Sequence, residues 1–142
     1  MSILNKIVLA TIVCNLLILV GMGHGIAPLG LIEVFLFSSL MEGDLHLSLM
    51  GTYDSRAEAC AGLSLIGQIV LFISMFTTRN PKLYLVIAGL SILLFAFLVL
   101  TFGLTPGTSE PGTVWLAIPF LYTAVRLIVL FITRSKDPAF LL

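Results

Sequence analysis

Charge is the first thing this sequence has little of. Of 142 residues only 10% are charged, against 59% apolar, and the mean hydropathy is +1.18. A soluble domain carries roughly 25% charged residues. So few charges cannot cover a water-facing surface, and lipid is left to cover much of it. The seven Lys and Arg balance the seven Asp and Glu. That balance leaves no basic stripe for phosphates, so a nucleic-acid partner is excluded. Cysteine is equally scarce. Cys14 falls in the middle of one apolar run and Cys60 at the start of another, at different depths, which argues against a disulfide between them. Without a C-x-x-C pair there is no structural zinc or redox signature. No Ser-His-Asp set, phosphate-cradling glycine loop or pair of intramembrane acids is legible. The expectation is therefore a non-enzyme with no cofactor and no metal.

What is present is long apolar runs. A bilayer core about 30 Å thick takes roughly 20 apolar residues to cross as a helix. Four stretches reach that length, at about 3–22, 59–78, 83–104 and 113–132. The punctuation agrees with them. Gly21, Gly23 and Gly25 close the first, Arg79-Asn80-Pro81-Lys82 separates the second and third, and Thr105-Pro106-Gly107 with Glu110-Pro111-Gly112 separates the third and fourth. The first run lacks a small-x-small cleavage site and is expected to be retained. The expected fold is an all-α membrane protein, a four-transmembrane-helix bundle forming a single domain over 1–142, with an outer loop over 23–58.

Lys6, Arg79, Lys82, Arg134 and Lys136 fall on one side of this arrangement and only Arg56 on the other, Arg126 being inside a helix. Five against one is a positive-inside bias that puts both termini in the cytoplasm. A fifth crossing over 26–41 is disfavoured by Pro28 and by Glu33, because a carboxylate in mid-membrane costs several kcal/mol. That segment is expected to pack on the outer helix ends, with Glu33 outside the hydrocarbon core. Leu45, Leu47 and Leu49 alternate with His46, Ser48 and Met50, the period of a strand. With 33–37 they form either a small outer antiparallel sheet or an irregular loop.

This layout resembles the claudin, peripheral myelin protein and epithelial membrane protein superfamily of tetraspan proteins. Gly30-Leu31-Ile32-Glu33-Val34-Phe35 sits where that family carries Gly-Leu-Trp followed by a cysteine. Tyr53-Asp54-Ser55-Arg56-Ala57 leads into the second helix as the family's arginine does, and Ala88-Gly89 fits its third helix. Ile32 replaces the tryptophan and Phe35 the cysteine, and no second loop cysteine follows, so the family's loop disulfide cannot form. The resemblance implies left-handed four-helix packing under a small outer sheet. It also implies a role in cell contact, cell junctions or membrane organisation at the plasma membrane. The hydropathy suits a bacterial inner membrane equally well.

Several residues are candidates for contacts. Trp115, Pro119, Tyr122 and Arg126 share one helix face by spacing. Turned inward, that face could hold an anionic headgroup or a partner carboxylate; turned outward, Arg126 would snorkel to the headgroups. Cys60, Ser64 and Gln68 recur every four residues, a stripe suited to close helix packing. Glu33, Glu42, Asp44, His24 and His46 read as a solvated acidic outer loop open to interaction. Asp137 with Leu141 and Leu142 matches an acidic dileucine sorting pattern. Two functions are compatible with these features. One is a structural or interaction tetraspan, partnered by membrane lipids and by copies of itself or other membrane proteins. The other is a lipid- or quinone-binding accessory subunit that uses Arg126, Tyr122, Trp115 and Gln68.

Overall fold

The computed structural model describes residues 2–22, 25–42, 48–50, 52–77, 80–104 and 112–134. Among them the chain is mostly helical, with one two-stranded sheet. Helix α1 spans Ile3–Leu16, β1 Leu19–Met22, β2 Gly25–Pro28, α2 Leu29–Glu42, α3 Tyr53–Phe76 and α4 Asn80–Phe102. A short α5, Gly112–Leu116, leads into α6, Ile118–Arg134. Helices α3 and α4 contain the two stretches long and apolar enough to cross a membrane, Ser55–Phe76 and Pro81–Phe102.

The first apolar run is not one helix. α1 begins at Ser2, whose Oγ accepts from the Asn5 amide at 3.2 Å. It stops at Leu16, and 19–28 fold into an antiparallel hairpin pairing Leu19 with Pro28 and Met22 with Gly25. Glycines at 21, 23 and 25 each cost about 1 kcal/mol relative to alanine in a helix, and Pro28 cannot donate and holds Ala27 out of the α region. A continuous helix through this stretch is therefore the poorer solution. α2 starts directly after Pro28, and its first amide, Leu29 N, donates to Ile18 O at 2.7 Å. One of the unsatisfied donors of the helix start is thus met by the residue that precedes β1.

This corrects three expectations. Residues 17–22 are turn and strand rather than the top of a helix. Residues 33–37 are helix rather than strand, and the small sheet is built from 19–28 instead. Of the alternating segment, 45–47 lie outside the described residues, and 48–50 are in no strand. Met22 and Gly25 pair three residues apart, so the closure entropy of this small sheet is low.

The contacts fix how the elements run. Asn5 Nδ2 donates to Met75 O at 3.1 Å, and Asn15 meets Gln68, so α1 lies antiparallel to the C-terminal half of α3. Glu33 meets Gln68, and a Cβ on Gly62 would touch Leu36 Cδ2 at 3.3 Å. α2 therefore continues in the direction of α1, along the other half of α3. The two short helices meet where Gly30 approaches Leu16; a Cβ there would come within 2.9 Å of Leu16 Cδ2. Together α1 and α2 form one interrupted helical path, with the hairpin set aside at the interruption.

α3 and α4 cross tightly at a glycine pair. A Cβ on Gly67 would lie 3.0 Å from Gly89 O, and one on Gly89 2.9 Å from Gly67 O. Small residues let backbones approach in this way. α6 returns antiparallel to α4, with the Phe97 and Phe120 rings 6.0 Å apart, and it also packs on α1. The break between α5 and α6 falls just before Pro119, which has no N–H to give to the preceding turn. Leu71, Leu93, Leu100, Phe120 and Leu127 are fully buried between these helices.

Candidate functional site

Two places gather the chain's unusual polar residues. The first is where the interrupted path passes the middle of α3. Gln68 Nε2 lies 2.8 Å from Asn15 Oδ1 and 2.8 Å from Glu33 Oε1, and donates to both. Asn15 ends α1, Glu33 is in the second turn of α2, and Gln68 reaches both because the two helix ends flank it. All three are enclosed: Asn15 is 1% exposed, Glu33 5% and Gln68 6%. Asn15 Nδ2 is buried with no hydrogen-bond partner among the described residues. No cation among the described residues faces Glu33; its one side-chain partner there is the Gln68 amide.

Glu33 is therefore not part of a solvated loop. Its carboxyl is buried between helices because the hairpin absorbs Pro28 and leaves Gly30 to Glu42 free to form a helix against α3. The other outer-loop candidates fall differently. Glu42 closes α2, and nothing is described of its side chain, while His24, Asp44 and His46 lie outside the described residues, as do Asp137, Leu141 and Leu142. Cys60 and Ser64, on the same stripe as Gln68, are both buried. Asn15 had a legible signal, a carboxamide in the middle of an apolar run, but its partners could not be read without the helix break.

The second place is the outer surface of α5 and α6. Trp115 of α5 is 75% exposed, and Tyr122 and Arg126 of α6 are exposed as well. The Arg126 guanidinium stands 5.8 Å from the Tyr122 ring centroid, a cation–π contact. Around them Ile118, Val125, Val129 and Ile132 are exposed apolar side chains. Gln68 is not part of this face; it belongs to the buried cluster. A second cation, Arg56, is 1% exposed in the first turn of α3, with its guanidinium 5.3 Å from the Tyr53 ring centroid.

The fold and these two sites define a helical protein with two helices suited to a membrane. Compared with protein-family models, characterised proteins and solved structures, the chain matches none. Its function is therefore argued from its own geometry.

Proposed function

We propose that this chain is a multi-pass membrane protein that associates laterally with a partner helix through the outward Trp115–Tyr122–Arg126 face. In this reading the interrupted α1–α2 path makes the first of four crossings, α3 and α4 the next two, and α5–α6 the last. Both termini are cytoplasmic, on the side that holds Lys6, Arg79, Lys82, Arg134 and Lys136. The exterior supports a lipid setting: Val34, Phe35, Phe37, Leu40 and Met41 of α2 are all exposed and apolar.

The observation that carries the proposal is the direction of Arg126. It points out of the bundle, stacked on Tyr122 and ringed by apolar side chains, about 12 Å along the helix from Arg134. A cation on a lipid-facing surface at that depth costs about 2–3 kcal/mol. A carboxylate on a neighbouring helix removes that cost and adds an ion pair. Membrane organisation, the role implied by the resemblance to the claudin superfamily, is then exerted within the bilayer by lateral contact. The lipid- or quinone-binding reading turned on an Arg126 and Tyr122 face directed into the bundle, and both side chains are exposed.

The test is a photo-crosslinking amino acid at position 129, one turn from Arg126, in native membranes. The expected result is a discrete protein adduct that Arg126→Leu abolishes and Arg126→Lys retains. An adduct indifferent to Arg126→Leu, or adducts with lipid alone, would overturn the proposal.

A further inference from the structure

The buried cluster does something that the lateral contact leaves unexplained. We propose that Glu33, held between Gln68 and Asn15 at the interruption of the first crossing, is a reversible proton-binding site inside the bilayer.

The chemistry of the three residues favours this over a structural clamp. A clamp between α1, α2 and α3 needs hydrogen bonds and no ionisable group. Glutamine at position 33 would offer Gln68 the same acceptor without the several kcal/mol that a buried charge costs. The ionisable group is nonetheless there, and its partners are neutral amides. An amide serves either charge state, since its N–H donates to a carboxylate and its C=O accepts from a carboxylic O–H.

The unused donor is the second argument. A completed buried network leaves no polar atom over, because each orphan costs about 1–3 kcal/mol. Here Asn15 Nδ2 is buried and without a partner among the described residues, next to the oxygen that accepts from Gln68. It is the group available to a second carboxylate oxygen. When the proton leaves Glu33, the charge can be met by Gln68 Nε2 and, after rotation of the Asn15 amide, by Asn15 Nδ2. When the proton returns, the carboxyl O–H becomes a donor and the Asn15 contact is released. One proton is exchanged with water, and no other bond forms or breaks.

The open space closest in sequence is a cleft of about 280 Å³ between α2 and α3, lined by Ile32, Ser39 and Glu58 but not by Glu33 itself. Other titratable or charged groups on the elements packed against α2 stand apart from the cluster. On α3 these are Tyr53, Asp54, Arg56, Glu58 and Cys60, the nearest eight residues from Gln68, about 12 Å of rise; on α1 Lys6 is nine residues from Asn15, and the exception is Cys14, the sequence neighbour of Asn15. Strands β1 and β2 contribute none.

The test is infrared difference spectroscopy of the full chain in phosphatidylcholine vesicles, following the C=O stretch of a protonated carboxyl as pH is stepped. The expected result is a band that comes and goes with pH and is absent from Glu33→Gln, which keeps the side-chain size and an acceptor for Gln68. Asn15→Ala removes a donor to the ionised form, so it should strengthen proton affinity about tenfold, the scale of one charge-assisted hydrogen bond. A spectrum that does not change with pH, or a titrating band that survives Glu33→Gln, would overturn the site. The proposal rests on the membrane reading, and the two fail separately: a chain stripped from vesicles by alkaline carbonate defeats the membrane reading, whereas a vesicle-held chain with a pH-invariant band defeats only the proton site.

Discussion

Replacing Gln68 by methionine keeps the length and nearly the volume of the side chain but removes the donor that ties three helices together. In the wild type Gln68 Nε2 donates to Asn15 Oδ1 and to Glu33 Oε1, each at 2.8 Å. Each bond contributes about 1 kcal/mol net inside a membrane protein. The larger effect is on the partners left behind, because a buried carboxyl and a buried amide without partners cost about 1–3 kcal/mol each. Methionine returns about 1 kcal/mol by burying a thioether in place of an amide. The net prediction is a loss of about 3 kcal/mol, well above the scatter for a surface change. The assay is SDS-titrated unfolding in mixed micelles, followed by circular dichroism. A triple variant, Asn15→Leu, Glu33→Met and Gln68→Met, should recover most of the loss, since replacing every partner by an apolar group of similar shape leaves nothing orphaned. The reasoning fails if Gln68→Met unfolds at the wild-type midpoint, or if the triple variant is as weak as the single one.

Two further predictions concern the helix crossing and the topology. Gly89→Ala places a Cβ 2.8 Å from Leu71 Cγ and 2.9 Å from Gly67 O, a backbone atom that cannot rotate away. An overpacking cost of about 1–3 kcal/mol outweighs the roughly 1 kcal/mol helix gain of alanine, so we expect net destabilisation of about 1 kcal/mol in the same assay; a stabilised variant would mean the α3–α4 crossing is looser than described. With Cys14 and Cys60 replaced by alanine, His46→Cys should react with an impermeant maleimide from outside, whereas Ser2→Cys should react only once the membrane is opened. Equal reactivity from one side would end the four-crossing reading.

The sequence determined the helical class and the extent of its two long apolar helices, because charge scarcity and run length are properties of composition. The apolar stretches expected at 59–78 and 83–104 correspond to α3 and α4, with ends displaced by up to six residues. The displacement at the start of α3 has a physical cause. Residues 53–58 contain Asp54, Arg56 and Glu58, so hydropathy ends the segment there, while backbone hydrogen bonding continues the helix through polar residues without penalty. The sequence also carried the marks of the first interruption, in Gly21, Gly23, Gly25 and Pro28, though these read equally as the end of a crossing.

Only the tertiary structure decided the course of the chain beyond that interruption. Whether 29–42 lies flat on the helix ends or continues the path of α1 depends on which surface of α3 it meets, and no local pattern encodes that. The same holds for Glu33. Its cost in an apolar setting is a local fact and argued for a place outside the hydrocarbon core, but the structure sets Gln68, thirty-five positions away, within 2.8 Å of its carboxyl. Arg126 shows the converse. Spacing put it on one face with Trp115 and Tyr122, and the structure brings Arg126 to Tyr122, but periodicity fixes only which residues share a face. Whether that face looks inward or outward is set by the packing of α6 on α1 and α4. Here α6 buries Phe120, Ala124 and Leu127 against its neighbours, and that choice turns Arg126 to the outside.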